Sequence, residues 1–178
     1  MSIWELEQNH NIYSTLRDLI RTNHSHLVEA NISIYFCDKN KLKSNQAVIA
    51  DTSKSSSKLK ASTNADFTIT IYMNAWDSLN PEQKIACLDH ELCHCSVHYE
   101  PVKEAVGGGR GGRQRFKIVK DELGRTQYTN EIKRNEEGEP KWKLETHDLE
   151  EFRSIVDRHG IWDENIRSFK EALDHVRS

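Results

Sequence analysis

Apolar residues among the first twenty or so positions recur at close to helical spacing: Trp4, Leu6, Ile12, Tyr13, Leu16, Leu19 and Ile20. The pattern predicts one amphipathic helix there. The period then drops to two. In "NISIYFCD" the residues Ile32, Ile34 and Phe36 fall on one face, which predicts a half-buried strand, and "QAVIAD" predicts a shorter one. "DFTITIYMN" is rich in β-branched and aromatic residues and predicts a further strand. Between these strands, residues 52–64 ("TSKSSSKLKASTN") carry serine and lysine with no apolar period, so a long mobile loop is expected.

A well-punctuated helix follows. Asn80 is a candidate N-cap, Pro81 takes the first helical position, and Glu82 and Gln83 place polar acceptors in the first turn. Ile85, Ala86, Leu88, Leu92 and Cys95 supply apolar positions, and the helix is expected to run to about His98, with Pro101 as a stop. Residues 107–113 ("GGGRGGR") predict a flexible or turn-rich connector. "RFKIVKDELGRTQYTNEIKR" alternates as a hairpin turning near Asp121–Gly124, and "NEEGEP" is a polar turn. Thr146 is placed to cap a helix from His147 to about His159, with Leu149, Phe152, Ile155 and Val156 as its apolar face and Gly160 as its stop. Asp163 is placed to cap a last helix. No internal repeat appears. The elements describe one α+β domain over residues 1–178: a small β-sheet, a central helix, a β-hairpin insertion and C-terminal helices.

Composition narrows the function classes. The net charge of −3 gives no global attraction to nucleic acid or acidic membranes. No apolar run approaches the ~20 residues of a membrane span. The start "MSIWELEQNH" has acidic residues where a signal peptide carries positive charge. Of the four cysteines, Cys87, Cys93 and Cys95 crowd one predicted helix, a poor disulfide framework that suits a reducing compartment. The expected location is cytoplasmic.

The chemistry concentrates in "LDHELCHCSVHYE". His90, Glu91 and His94 form H-E-x-x-H. Residues four apart share a helix face, so both imidazoles can close on one zinc ion. Glu91, next to His90, is directed near the metal without needing to coordinate it, where it can act as general base on a metal-activated water. A complete catalytic site normally has three protein ligands. On a straight helix His98 lies about 12 Å along the axis from His90, too far for a shared ion. His147, expected at a helix start after the strand in "PKWKLETHDLEEF", is better placed; Glu151 and Glu150 are the alternatives. Cys93 and Cys95 lie roughly 200° apart around a helix and cannot share an ion without unwinding it.

At "LNPEQKIACLDHELCHC" the sequence resembles the phage metallopeptidases, a family of small zincin-like proteins encoded by phages and prophages. The likeness runs from "FTITIYMNAWDSL" through the glycine–arginine stretch to "HDLEEFRSIVDRHGIW", and so covers most of the chain after residue 30. The chain is also similar to the SprT-like core, in which a short sheet precedes the metal helix. No cysteine follows Cys95, so the C-terminal zinc ribbon of SprT-like proteins is absent. The resemblance implies a zincin-like fold and a zinc-dependent peptidase acting on a protein or peptide, with His90, His94 and His147 as ligands and Glu91 as general base. For a phage-encoded protein the host cytoplasm would be the setting.

Two other readings compete. One is a regulatory protease of the ImmA/IrrE type that cuts a repressor in a phage switch. The other is a non-catalytic interaction or nucleic-acid-binding protein with a structural zinc. "GGGRGGRQRFK" carries Arg110, Arg113 and Arg115 among glycines, which can grip phosphates or simply connect a helix to a hairpin. The sequence does not settle an oligomeric state.

Overall fold

The computed structural model describes residues 2–43, 46–108, 114–147, 153–163, 166–167, 170–171 and 174. Trp4 and Leu6 share a helical rhythm with the residues after them, yet Ile3–Glu5 is an extended strand, β1. It pairs antiparallel with β2 (Ile32–Cys37), setting Ile3 opposite Cys37 and Glu5 opposite Tyr35. The single helix expected over the first twenty positions is therefore a strand followed by α1 (Asn11–Asn23). Pairing with β2 occupies the backbone of residues 3–5, and His10 opens the helix, its ring nitrogen accepting from the Ile12 N–H at 3.3 Å. Only from Ile12 onward does the apolar stripe belong to a helix; Ile12, Tyr13, Leu16 and Leu19 are buried.

Beyond β2, β3 (Lys41–Lys43) and β4 (Gln46–Val48) pair as an antiparallel hairpin. β5 (Ala50–Lys54) and α2 (Ser57–Thr63) come next. They replace the mobile loop expected over residues 52–64. β5 pairs antiparallel with β6 (Phe67–Tyr72), bringing Thr52 opposite Ile69. Ser56 caps α2 by accepting from the Leu59 N–H, and Asn64 ends it in the left-handed region at φ 57°. The serine run thus holds a helix cap. An outer strand and a short surface helix need no apolar period, which is why polarity alone suggested a loop.

α3 (Met73–Asp77) and α4 (Pro81–His94) follow β6. The main sheet has the order β1-β2-β6-β5. β2 and β6 are parallel, whereas β1 and β5 pair antiparallel with their neighbours, so the sheet is mixed and the class is α+β. Ile34, Phe67, Ile69 and Ile71 on the inner strands are fully buried. Leu27, Leu88, Leu92 and Ile155 join them in having no exposed surface to speak of. Each such side chain contributes roughly 1.5–3 kcal/mol by leaving water. α4 lies against β5 and against α1.

α4 stops at His94, short of the expected end near His98. Its terminal carbonyl, His94 O, accepts the Glu145 N–H at 2.8 Å, and the chain leaves extended at Cys95. A partner fifty residues away in sequence therefore ends the helix. The strand β7 (Cys95–Val97) follows it, with Cys95 and Val97 buried.

Contacts divide the chain into two compact units: Met1–Ser96 with Lys143–Ser178, and Val97–Trp142. The second holds β8 (Tyr99–Pro101), β9 (Lys103–Gly108), β10 (Gln114–Ile118) and β11 (Tyr128–Ile132). The turn at Asp121–Gly124 forms as expected, with Gly124 at φ 76° and its N–H on the Asp121 carbonyl. Next to the turn the two arms pair, through an antiparallel Lys120–Thr126 bridge and the Gln127 N–H on the Val119 carbonyl; farther out, β10 pairs with β9 and β11 with β8. Gly107 and Gly108 end β9, and residues 109–113 lie outside the described residues.

β12 (Trp142–Leu144) leads toward His147, and in the first unit α5 (Arg153–His159) ends at Gly160, where φ is 67° and the N–H reaches the Val156 carbonyl. His147, the expected first residue of this helix, lies in the chain after β12 and is not helical, and residues 148–152 lie outside the described residues. All four cysteines are free. Among the described residues, no helix is long and apolar enough to cross a membrane.

Candidate metal centre

The start of α4 is held by a reciprocal cap. Asn80 Oδ1 accepts the Gln83 N–H at 2.9 Å, while Gln83 Oε1 accepts the Asn80 N–H at 3.1 Å. Such caps contribute about 1 kcal/mol and define where the helical faces point. Ala86, Cys87, Leu88 and Leu92 turn into the core. His90 and His94, one turn apart, stand partly exposed with ring centroids 5.1 Å from each other.

His147 arrives from the segment after β12. Its ring centroid lies 4.9 Å from that of His90 and 4.7 Å from that of His94. The Nε2 atoms of His147 and His90 are 3.1 Å apart. Each of the three residues offers a ligand nitrogen, all within 4.8 Å of one another, so the trio can hold a metal ion. His94 Nδ1–H donates to the Glu145 carbonyl at 2.8 Å. That bond fixes the tautomer and leaves Nε2 with its lone pair available as a ligand. The Trp162 ring flanks His90 at 6.0 Å, and its carbonyl is held by Gln83 Nε2 at 3.1 Å.

Glu91, the residue after His90, is almost wholly buried. Thr52 Oγ1, on the outer strand β5, donates to Glu91 Oε2 at 2.6 Å. Burial pushes the Glu91 carboxyl up from its ordinary range, and the His90 charge and the Thr52 hydroxyl pull against that rise. A carboxyl so placed is primed to take up a proton.

Asp89 has no exposed surface and is bonded from several sides. His24 Nε2 meets Oδ1 at 2.6 Å, while Arg158 Nε and His159 Nε2 meet Oδ2 at 2.8 and 2.7 Å. Asn23 Nδ2 adds a longer contact. Burial alone would raise this carboxyl; the donors from His24, Arg158 and His159 override it and hold the group well below the usual carboxylate range.

Among the described residues, the imidazole cluster comprises His90, His94 and His147 alone. His98 sits in the Val97–Trp142 unit, where its backbone bonds Lys141 and Lys133. Cys95 is buried, and Cys93 lies 3.7 Å from both Ser154 Oγ and Arg158 Nη2. Glu150, Glu151, Arg110 and Arg113 lie outside the described residues, and Arg115 is exposed on β10. Sequence reasoning missed Thr52, because it fell in the stretch read as a loop. It also passed over Asp89, although a charged residue inside the apolar stripe of Ala86, Leu88 and Leu92 signals a buried group with partners.

A mixed α+β core carrying three converging imidazoles beside a buried carboxylate defines a candidate metalloprotein. A family model described as "Putative phage metallopeptidase" matches residues 4–172, and the chain belongs to that family. No curated protein and no solved structure matches the chain.

Proposed function

We propose that the protein is a zinc-dependent metallopeptidase of zincin-like fold that hydrolyses peptide bonds in a protein substrate. The observation that carries this reading is the meeting of His147 with His90 and His94, residues far apart in sequence, within 4.8 Å, with both helix imidazoles close enough to act on the Glu91 carboxyl. Nitrogens about 2.0–2.1 Å from a tetrahedral zinc ion are about 3.3 Å apart. The 3.1 Å between His90 Nε2 and His147 Nε2 fits that edge. Three neutral imidazoles also suit zinc by donor type and leave a fourth position for water or substrate. A zinc ion held there supplies Lewis-acid polarisation of a carbonyl and acidifies water at neutral pH.

The chain's own residues then have distinct tasks. Glu91 accepts the proton of the attacking water and delivers it to the departing amine nitrogen. Thr52 keeps the Glu91 carboxylate in one rotamer for both transfers. β6 is interior to the sheet, so it offers no free edge. β5 is the outer strand on that side and lies against α4, which makes its backbone the place for an extended peptide to pair.

The decisive test pairs two variants. His94→Ala should lose bound zinc, measured by metal analysis of the purified protein. Glu91→Gln should keep zinc and fold while casein cleavage falls by roughly 10²–10⁴-fold, the usual share of a general base. Full cleavage by Glu91→Gln would overturn the proposal.

A further inference from the structure

We propose that Asp89 is a positioning residue of the metal centre, latching the C-terminal segment onto α4 so that His147 is delivered to His90 and His94. The inference rests on the metal-binding reading above and deepens it.

The two helix histidines need no help to meet, since one turn of α4 sets their spacing. His147 is different. It belongs to a segment that returns to α4 only after the whole Val97–Trp142 excursion. Something must hold that segment in place on both sides of the ligand. Before it, Glu145 does so, donating its N–H to the His94 carbonyl and accepting His94 Nδ1–H, each at 2.8 Å. After it, α5 is anchored by the fully buried Ile155 and, at its end, by Arg158 and His159, which both reach Asp89 Oδ2.

Asp89 directly precedes His90, so the residue that grips α5 and the residue that meets His147 are adjacent on one rigid helix. The division of its oxygens is informative. Oδ2 serves α5, while Oδ1 takes His24 at the end of α1. One carboxylate thereby ties the N-terminal helix, the metal helix and the C-terminal helix together. A buried carboxylate is tolerated only with such a full set of partners. Nothing in the proposed hydrolysis uses it. Its placement gains meaning if it assembles the third ligand before metal arrives, removing the ordering cost from the binding step. Groups that orient metal ligands from outside the coordination shell typically change affinity by about 10–100-fold.

Asp89→Ala would strand donors on two other helices, α1 and α5, so the test is made from the partner side. The Arg158 and His159 side chains keep 31% and 20% of their surface exposed, which lets them be replaced without opening the core. The full-length Arg158→Met/His159→Leu variant is compared with wild type, with Arg158→Lys and with His94→Ala. Zinc affinity is measured by competition with a chromophoric chelator. The visible absorption of the cobalt(II)-substituted protein reports the ligand set, and circular dichroism with a thermal melt of the metal-free protein reports the fold. The double variant should bind zinc about 10–100-fold more weakly and give a weakened, shifted cobalt band, while Arg158→Lys keeps most of both.

Unchanged zinc affinity and an unchanged cobalt band, with only the melting temperature lowered, would show that Asp89 braces the fold and does not position the ligand. If the double variant fails to fold, Arg158→Met alone is judged by the same two readouts. A wild-type protein that binds no zinc, or a His94→Ala variant that binds it normally, would instead remove the metal reading itself, a result separate from either outcome for Asp89.

Discussion

Glu91 and Thr52 form the closest pairing between the sheet and the chemistry of α4. The hydroxyl of Thr52 stands 2.6 Å from Oε2, so it donates a charge-assisted hydrogen bond that favours the ionised carboxylate. Such a bond is worth on the order of 1.5–3 kcal/mol when the partner is charged. Thr52→Val keeps the shape and removes the donor. Its expected effect is a fall in kcat of about tenfold or more on a casein-type substrate, with zinc content unchanged. The sign of the pH effect follows from the same bond. Because Thr52 lowers the Glu91 pKa, its loss raises that pKa, and the acidic limb of the rate profile moves to higher pH. Thr52→Ser should restore both. An unmoved acidic limb in the valine variant would mean that Glu91 does not serve as the base whose ionisation limits the reaction.

At the scale of elements, what could be read from sequence was whatever is decided locally. Asn80, Pro81 and Gln83 announce the start of α4 within four residues, and the cap they form is the one expected. β6 declares itself by composition and is buried along most of its length. The end of α4 was not legible, because the Glu145 N–H that takes the His94 carbonyl lies far along the chain. The expected strand in "QAVIAD" reaches only the first two residues of β5, and the rest of it was hidden for a related reason: an outer strand takes its identity from its neighbour β6 rather than from its own pattern. The two helix imidazoles and Glu91 follow from spacing alone, whereas Thr52 and Asp89 acquire their partners only in three dimensions. Local control of the helix start makes a quantitative prediction. Asn80→Ala should destabilise the protein by about 1 kcal/mol, whereas Ile69→Ala, which empties a fully buried site on β6, should cost about 2–5 kcal/mol. Denaturant melts of the two variants check the order; comparable losses would mean that the cap does more than begin a helix.

For the molecule as a whole, the consequence of the imidazole cluster is a link between metal and stability. His90 and His94 belong to one rigid helix, but His147 joins them from across the Val97–Trp142 excursion, so a bound ion closes a long loop of chain. The folded chain presents all three nitrogens within 4.8 Å, a spacing an unfolded chain does not maintain, and a ligand that binds only the folded state stabilises it by mass action. At a free zinc concentration about 100 times the dissociation constant, that stabilisation is about 2.7 kcal/mol. For a chain of this length each kilocalorie moves the midpoint by roughly 2–4 °C, so zinc should raise Tm by about 5–11 °C. The shift should vanish in excess chelator and return when zinc is restored. His147→Ala should shrink it sharply while leaving the metal-free Tm close to wild type, because the residue is only half-buried. An equal zinc-induced shift in wild type and His147→Ala would place the third ligand elsewhere, with Glu150 and Glu151 as the first residues to replace. No shift in either protein would leave three imidazoles gathered for some purpose other than holding a metal.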